Sequence, residues 1–191
     1  VFDGRAGTDQ ISTSGNANMT LTDESLHVMG KGTIAFTNVE QVKLTGGLNA
    51  DTLDASAFTR QVTLDGGAGD DTLTAGSGAD SLMGGDGNDS LNGNSGNDTV
   101  SGDAGQDQVI GGLGDDLLTG GNNFDTLLGG EGNDTLVGDS GDDRLDGMNG
   151  NDSLHGDDGY DVLIGGVGND TMAGGLLSDR YVFEPPSHLA A

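Results

Sequence analysis

The chain has 191 residues, 32 acidic against 6 basic, for a formal charge of −26, with no Cys and with 38 Gly against 2 Pro. That charge excludes a nucleic-acid binder relying on basic contacts, and the lack of Cys excludes disulfides, thiolate zinc sites and thiol catalysis. No apolar run reaches the roughly 18 residues that a membrane-spanning helix needs.

Twenty-eight of the acids are Asp and only four are Glu, a bias expected of tight carboxylate-bearing loops rather than of a random acidic tail. Leu, Ile, Val and Phe together number 41. That is close to the roughly 20% apolar content below which highly charged chains stay disordered. The chain is therefore expected to fold poorly unless its charge is neutralised. Its start, Val1-Phe2-Asp3-Gly4, has no basic-then-apolar leader and no Met, and the expectation is a piece of a longer protein with an upstream domain.

Residues 1–65 read as an N-terminal β cap of degenerate, mostly metal-free rungs. Residues 4–12 (GRAGTDQIS) carry Asp9 and Ile11 at the spacing of a repeat that becomes regular later. Met19/Leu21, Leu26/Val28 and Ile34/Phe36 alternate as strands do. Residues 37–45 place Val42 and Leu44, residues 46–54 (GGLNADTLD) place Asp51, and residues 57–65 keep Leu64 but have Val62 where an Asp would stand.

From residue 66 to 182 the period is nine without a gap, in thirteen units. Position 1 is Gly in twelve units, Ala75 being the exception; position 4 is Gly in eleven, Asn123 and Leu177 being the exceptions. Position 6 is Asp in all thirteen, from Asp71 to Asp179, and position 8 is apolar in all, from Leu73 to Tyr181. Gly at positions 1, 2 and 4 is read as freedom to take positive φ and turn sharply. One apolar residue flanked by outward neighbours fits a very short strand. Two units then make an 18-residue turn of a flattened, all-β parallel solenoid, with the apolar stack between two short sheets. Stacking sets carboxylate over carboxylate, which repels unless a cation lies between. Carboxylates with bare carbonyls form an all-oxygen site, suited to Ca²⁺ more than to Mg²⁺. Leu177 is expected to resist a left-handed backbone, so that the last unit, with Leu176 and Tyr181, serves as a hydrophobic cap. Residues 183–191 read as a tail.

The unit GGxGxDxUx resembles the RTX (repeats-in-toxin) haemolysin-type calcium-binding nonapeptides. The resemblance implies a parallel β-roll holding Ca²⁺ between loops two units apart, at most eleven ions. It implies the position-6 carboxylates as ligands: Asp71, Asp80, Asp89, Asp98, Asp107, Asp116, Asp125, Asp134, Asp143, Asp152, Asp161 and Asp170. It also implies backbone carbonyls of the loop glycines. In the first half of the array these are Gly67, Gly69, Gly76, Gly78, Gly84, Gly85, Gly87, Gly93, Gly96, Gly102, Gly105, Gly111, Gly112 and Gly114. In the second half they are Gly120, Gly129, Gly130, Gly132, Gly138, Gly141, Gly147, Gly150, Gly156, Gly159, Gly165 and Gly168. A site pairing Asp161 with Asp179 is not expected. The family further implies an extracellular or cell-surface protein, exported by type I secretion, unfolded at low calcium and folded outside the cell.

Catalytic residues are not expected: HExxH and GxSxG are absent, and His27, His155 and His188 are scattered. The alternative reading is an accessory or targeting module of a larger secreted enzyme or adhesin, contacting polysaccharide or another surface. Its candidate contact row is Ile110, Leu128, Ile164 and Val182, at position 9 of alternate units and interrupted by Asp146. A hydroxyl ladder at position 7 is weaker, because Gln108, Leu117, Arg144, Val162 and Arg180 interrupt it.

Overall fold

The computed structural model describes residues 2–3, 10–15, 18–29 and 32–183. Residues 4–9 of the stretch read as a repeat echo, and most of the tail, fall outside them. The described residues contain strands and turns and no helix.

The first strands are β1 (Phe2–Asp3), β2 (Gln10–Ser14), β3 (Met19–Thr22), β4 (Ser25–Val28) and β5 (Gly32–Thr37). Strands β3, β4 and β5 pair antiparallel as a meander, and β3 then joins the rest of its sheet in parallel. Met19, Leu21, Leu26 and Val28 turn inward and are buried, as their alternation predicts.

From β6 (Gln41–Gly47) onward the chain winds as a coil, each successive strand falling in the opposite sheet. One sheet receives β7 (Thr52–Ala57), β9 (Thr72–Thr74), β11 (Ser90–Ser95), β13 (Gln108–Leu113), β15 (Thr126–Glu131), β17 (Arg144–Asn149), β19 (Val162–Ile164) and β21 (Arg180–Val182). The other receives β6, β8 (Val62–Ala68), β10 (Ser81–Asp86), β12 (Thr99–Ala104), β14 (Leu117–Asn122), β16 (Thr135–Ser140), β18 (Ser153–Asp158) and β20 (Thr171–Leu176). Every neighbouring pair from β6 to β21 is parallel, so the structure is a parallel β-solenoid of about eight turns.

The register shows how the repeat winds. Leu64 pairs with Leu82 and Leu73 with Leu91, a step of 18 residues. Val42 pairs with Val62 and Leu53 with Leu73, a step of 20. The two extra residues lie between β7 and β8, where Phe58 fills the core and is fully buried. The degenerate rungs therefore stack in the same ladders as the regular ones.

In the regular array the core is built mainly from one apolar residue per strand. Leu53, Leu73, Leu91, Val109, Leu127, Leu145 and Leu163 stack in one sheet, and Leu44, Leu64, Leu82, Val100, Leu118, Leu136 and Leu154 in the other, all buried. A buried leucine contributes about 1.5–3 kcal/mol. It must offset the ordering of a whole nonapeptide, glycine-rich and so unusually costly to order. The apolar stack alone is a weak case for a stable fold.

At the C-terminal end Leu177 does take the left-handed conformation, with φ of 76°, against expectation. The loop stacks on its predecessor, and Asp161 N–H donates to Asp179 Oδ1 at 3.2 Å. Leu176 and Leu177 are exposed rather than folded over the stack, so they do not form a hydrophobic cap.

Candidate metal centre

The position-6 Asp residues from Asp71 to Asp161 are held by their neighbours along the stack, each in the same way. Each carbonyl accepts the position-7 N–H of the loop two units on, as Asp71 does from Ser90 at 2.9 Å and Asp125 from Arg144 at 2.9 Å. Each N–H donates to Oδ1 of the next carboxylate in the row. Asp71 donates to Asp89, Asp89 to Asp107, Asp107 to Asp125, Asp125 to Asp143 and Asp143 to Asp161, all at 2.7–2.8 Å. On the opposite edge Asp80 donates to Asp98, Asp98 to Asp116, Asp116 to Asp134 and Asp134 to Asp152. Two rows of carboxylates thus run along the two edges.

Oδ1 is satisfied and Oδ2 is not. Among the described residues eleven buried Oδ2 atoms have no hydrogen-bond partner: those of Asp51, Asp71, Asp89, Asp98, Asp107, Asp116, Asp125, Asp134, Asp143, Asp152 and Asp161. An anionic oxygen so placed costs several kcal/mol unless a positive charge meets it.

What surrounds Oδ2 explains the Gly found at position 1 in twelve of the thirteen units. A Cβ added at Gly84 would overlap Asp89 Oδ2 and lie 2.7 Å from the carbonyl oxygen of Gly102. The same pair, the loop's own Oδ2 and the position-1 carbonyl of the next loop, meets a Cβ at Gly66, Gly93, Gly102, Gly111, Gly120, Gly129, Gly138, Gly147 and Gly156. None of these glycines has positive φ. Position 1 is Gly to keep an oxygen-lined cradle open, not to permit a left-handed turn, which corrects the conformational reading. Left-handed backbone instead belongs to positions 2 and 4. Asn94, Asp103, Asp139, Met148 and Asp157 adopt it at position 2 without being Gly.

One loop tests this account from within. Ala75 occupies position 1 of its unit and brings the methyl that the others exclude. There Asp80 Oδ2 accepts the Gly76 N–H at 3.2 Å, while Oδ1 accepts that of Val62 at 2.7 Å. Gly78 N–H supports the same carboxylate. Asp80 is served by amides, and its loop lacks the orphan oxygen found elsewhere. At the far end of the array Asp170 and Asp179 are half-buried.

Burial, opposed by the amide hydrogen bond and aided by neighbouring Asp, lifts the Asp98, Asp125 and Asp143 carboxyls to about 7. The same causes lift Asp71, Asp89, Asp116, Asp134 and Asp152 to about 6. Asp107 and Asp161 are also raised. Burial thus opposes ionisation along both rows, most at Asp98, Asp125 and Asp143.

Among the described residues no group of three or more His, Cys, Asp or Glu converges. Any cation in these cradles must therefore take most of its donors from backbone carbonyls. The position-2 and position-4 carbonyls are suitably aimed: those of Gly67 and Gly69 point at Gly85 and Gly87 in the next loop of the row. An orphaned carboxylate oxygen beside a position-1 carbonyl, with the position-2 and position-4 carbonyls of the same row facing the next loop, offers an all-oxygen donor set of the kind Ca²⁺ takes. The residues present fit that ion.

The outer faces differ from expectation. Ile110, Leu128 and Val182 are half-buried and Ile164 is only 9% exposed, so the position-9 row is not an open apolar stripe. At position 7, Gln108, Arg144, Val162 and Arg180 all fall on one sheet, leaving Leu117 as the sole interruption on the other. A feature missed in the sequence is the position-5 ladder. Asn97, Asp115, Asn133 and Asn151 each accept the backbone N–H of the next loop in the row, at 2.7–3.1 Å. Its signal was present as recurring Asn or Asp at position 5.

A search of the curated proteins gives no match. Comparison with protein families matches the RTX calcium-binding nonapeptide repeat four times, over residues 63–91, 83–118, 119–154 and 146–181. These stretches cover more than half of the chain and the loops just described, and the chain belongs to the RTX calcium-binding nonapeptide repeat family.

Proposed function

We propose that this β-roll is a calcium-coupled folding module of a secreted protein. The observation that carries the reading is the set of buried Oδ2 atoms, each facing a carbonyl in a cradle kept open by a position-1 Gly. Asp71, Asp89, Asp107, Asp125, Asp143 and Asp161 would hold ions along one edge, and Asp98, Asp116, Asp134 and Asp152 along the other. The position-1, -2 and -4 carbonyls complete each donor set. Ca²⁺, when bound, would supply the positive charge that the unpartnered Oδ2 atoms lack. The Asp side chains do the rest: Oδ1 splints the next rung through its amide, and Oδ2 closes the cradle.

With the cradles empty, the carboxylate rows oppose the small core, so metal-binding free energy becomes folding free energy. Such a chain stays unfolded where calcium is scarce and folds where it is abundant, which supports export in an unfolded state and folding outside the cell.

The test is far-UV circular dichroism of metal-stripped protein titrated with Ca²⁺ and, separately, Mg²⁺. The expected result is a cooperative coil-to-β transition in Ca²⁺ and little change in Mg²⁺. A β spectrum in the stripped protein, unmoved by Ca²⁺, would overturn the reading.

A further inference from the structure

We infer that a calcium site lies N-terminal to the regular array, between loop 46–51 and loop 66–71, with Asp51 and Asp71 as its carboxylates. The inference rests on the calcium reading above. Residues 46–54 lie outside every stretch matched to the repeat family, and the winding there steps by 20 residues rather than 18.

The local geometry is nonetheless that of the regular cradles. Asp51 is 5% exposed, and its Oδ2 is buried with no partner. Its N–H donates to Asp71 Oδ1 at 2.7 Å, and its carbonyl accepts the Thr72 N–H at 2.9 Å. A Cβ at Gly46 would overlap the carbonyl oxygen of Gly66 and lie 3.0 Å from Asp51 Oδ2. The Gly47 carbonyl points at Gly67 as position-2 carbonyls do throughout. The two extra residues enter after β7, so they displace the opposite edge and leave this one in register.

The opposite edge shows the contrast. Its corresponding loop presents Val62 rather than Asp, and Asp80 above it is already satisfied by amides. The two rows are therefore unequal: one extends a rung further toward the N-terminus. The ion at Asp51 would tie β6 and β7 to the array, so that these strands fold with calcium although they lack the repeat.

The test is native mass spectrometry of the full chain in calcium, with hydrogen exchange followed across β6 and β7. Asp51→Asn and Gly46→Ala should each carry one ion fewer than wild type and lose calcium-dependent protection in β6 and β7. Gly46→Ala keeps the carboxylate and only fills the cradle, and Ala75 shows that the fold carries a methyl at position 1. Asp125→Asn, in the array and shared by two neighbouring cradles, should lose at least one ion while β6 and β7 stay protected. Asp51→Asn and Gly46→Ala chains with the wild-type ion count and unchanged protection, while Asp125→Asn loses an ion, would overturn the site and leave the calcium reading intact. A wild-type chain that carries no calcium would overturn the calcium reading itself.

Discussion

Replacing Asp125 by Asn should stabilise the metal-free roll and destabilise the calcium-loaded one. Asp125 is fully buried; its Oδ1 accepts the Asp107 N–H at 2.8 Å and its Oδ2 has no partner. Burial, with Asp107, Asp143 and Asp139 nearby, raises its carboxyl to about 7. Relative to an unfolded Asp near 3.9, ionising it in the folded state at neutral pH costs about 4 kcal/mol. A group raised in this way contributes its full stability below about pH 4 and loses it as pH rises toward about 7. Metal-free wild type should therefore fold at acidic pH and unfold through that window.

Asn keeps the Oδ1 acceptor and turns an amide toward the carbonyls that Oδ2 faced, the Gly138 oxygen among them. It removes the ionisation cost, so the metal-free midpoint should move to higher pH, with a gain of up to about 4 kcal/mol at neutral pH and none below about pH 4. In saturating calcium the sign reverses, because a cradle has lost its charge. The assay is circular dichroism of metal-stripped wild type and variant across that pH range, then urea unfolding of both in calcium. A metal-free midpoint unmoved or lowered by the substitution would refute the claim that buried carboxylate charge keeps the empty roll unfolded.

Gly129→Ala should lower calcium affinity and lose one ion by native mass spectrometry, because its Cβ would overlap Asp134 Oδ2 and approach Gly147 O at 2.7 Å. By contrast, Leu177→Gly relieves an exposed left-handed Leu and should raise stability in calcium by roughly 1–2 kcal/mol; a loss on urea unfolding would contradict the conformational argument. Leu127→Ala empties a fully buried stack position and should cost about 2–5 kcal/mol in the calcium form. A near-neutral effect there would mean that the ions and ladders, not the leucines, carry the fold.

The repeat made the solenoid legible. An invariant Asp at position 6 and one apolar residue at position 8 specify a short strand and a carboxylate loop wherever they recur, and that is local information. Position 1 was legible as Gly but not for its reason, since the atoms it must avoid are Oδ2 of its own loop and a carbonyl 18 residues away. The Ala75–Asp80 loop, with a methyl in that space, differs at the same atom: Oδ2 accepts the Gly76 N–H, while Oδ1 keeps the rung bond from Val62.

Asp51 was read as part of a degenerate rung, because its neighbours break the motif. Only the stacking shows that the insertion after β7 falls on the other edge and leaves Asp51 over Asp71. Pairing likewise gathers Gln108, Arg144, Val162 and Arg180 onto one sheet, a segregation hidden when all thirteen units are aligned as equals. Period, charge and donor chemistry were thus determined by the order of residues. Which oxygens are left without a partner was decided by tertiary structure, because each cradle is shared by two loops that are neighbours in space and two units apart in the chain.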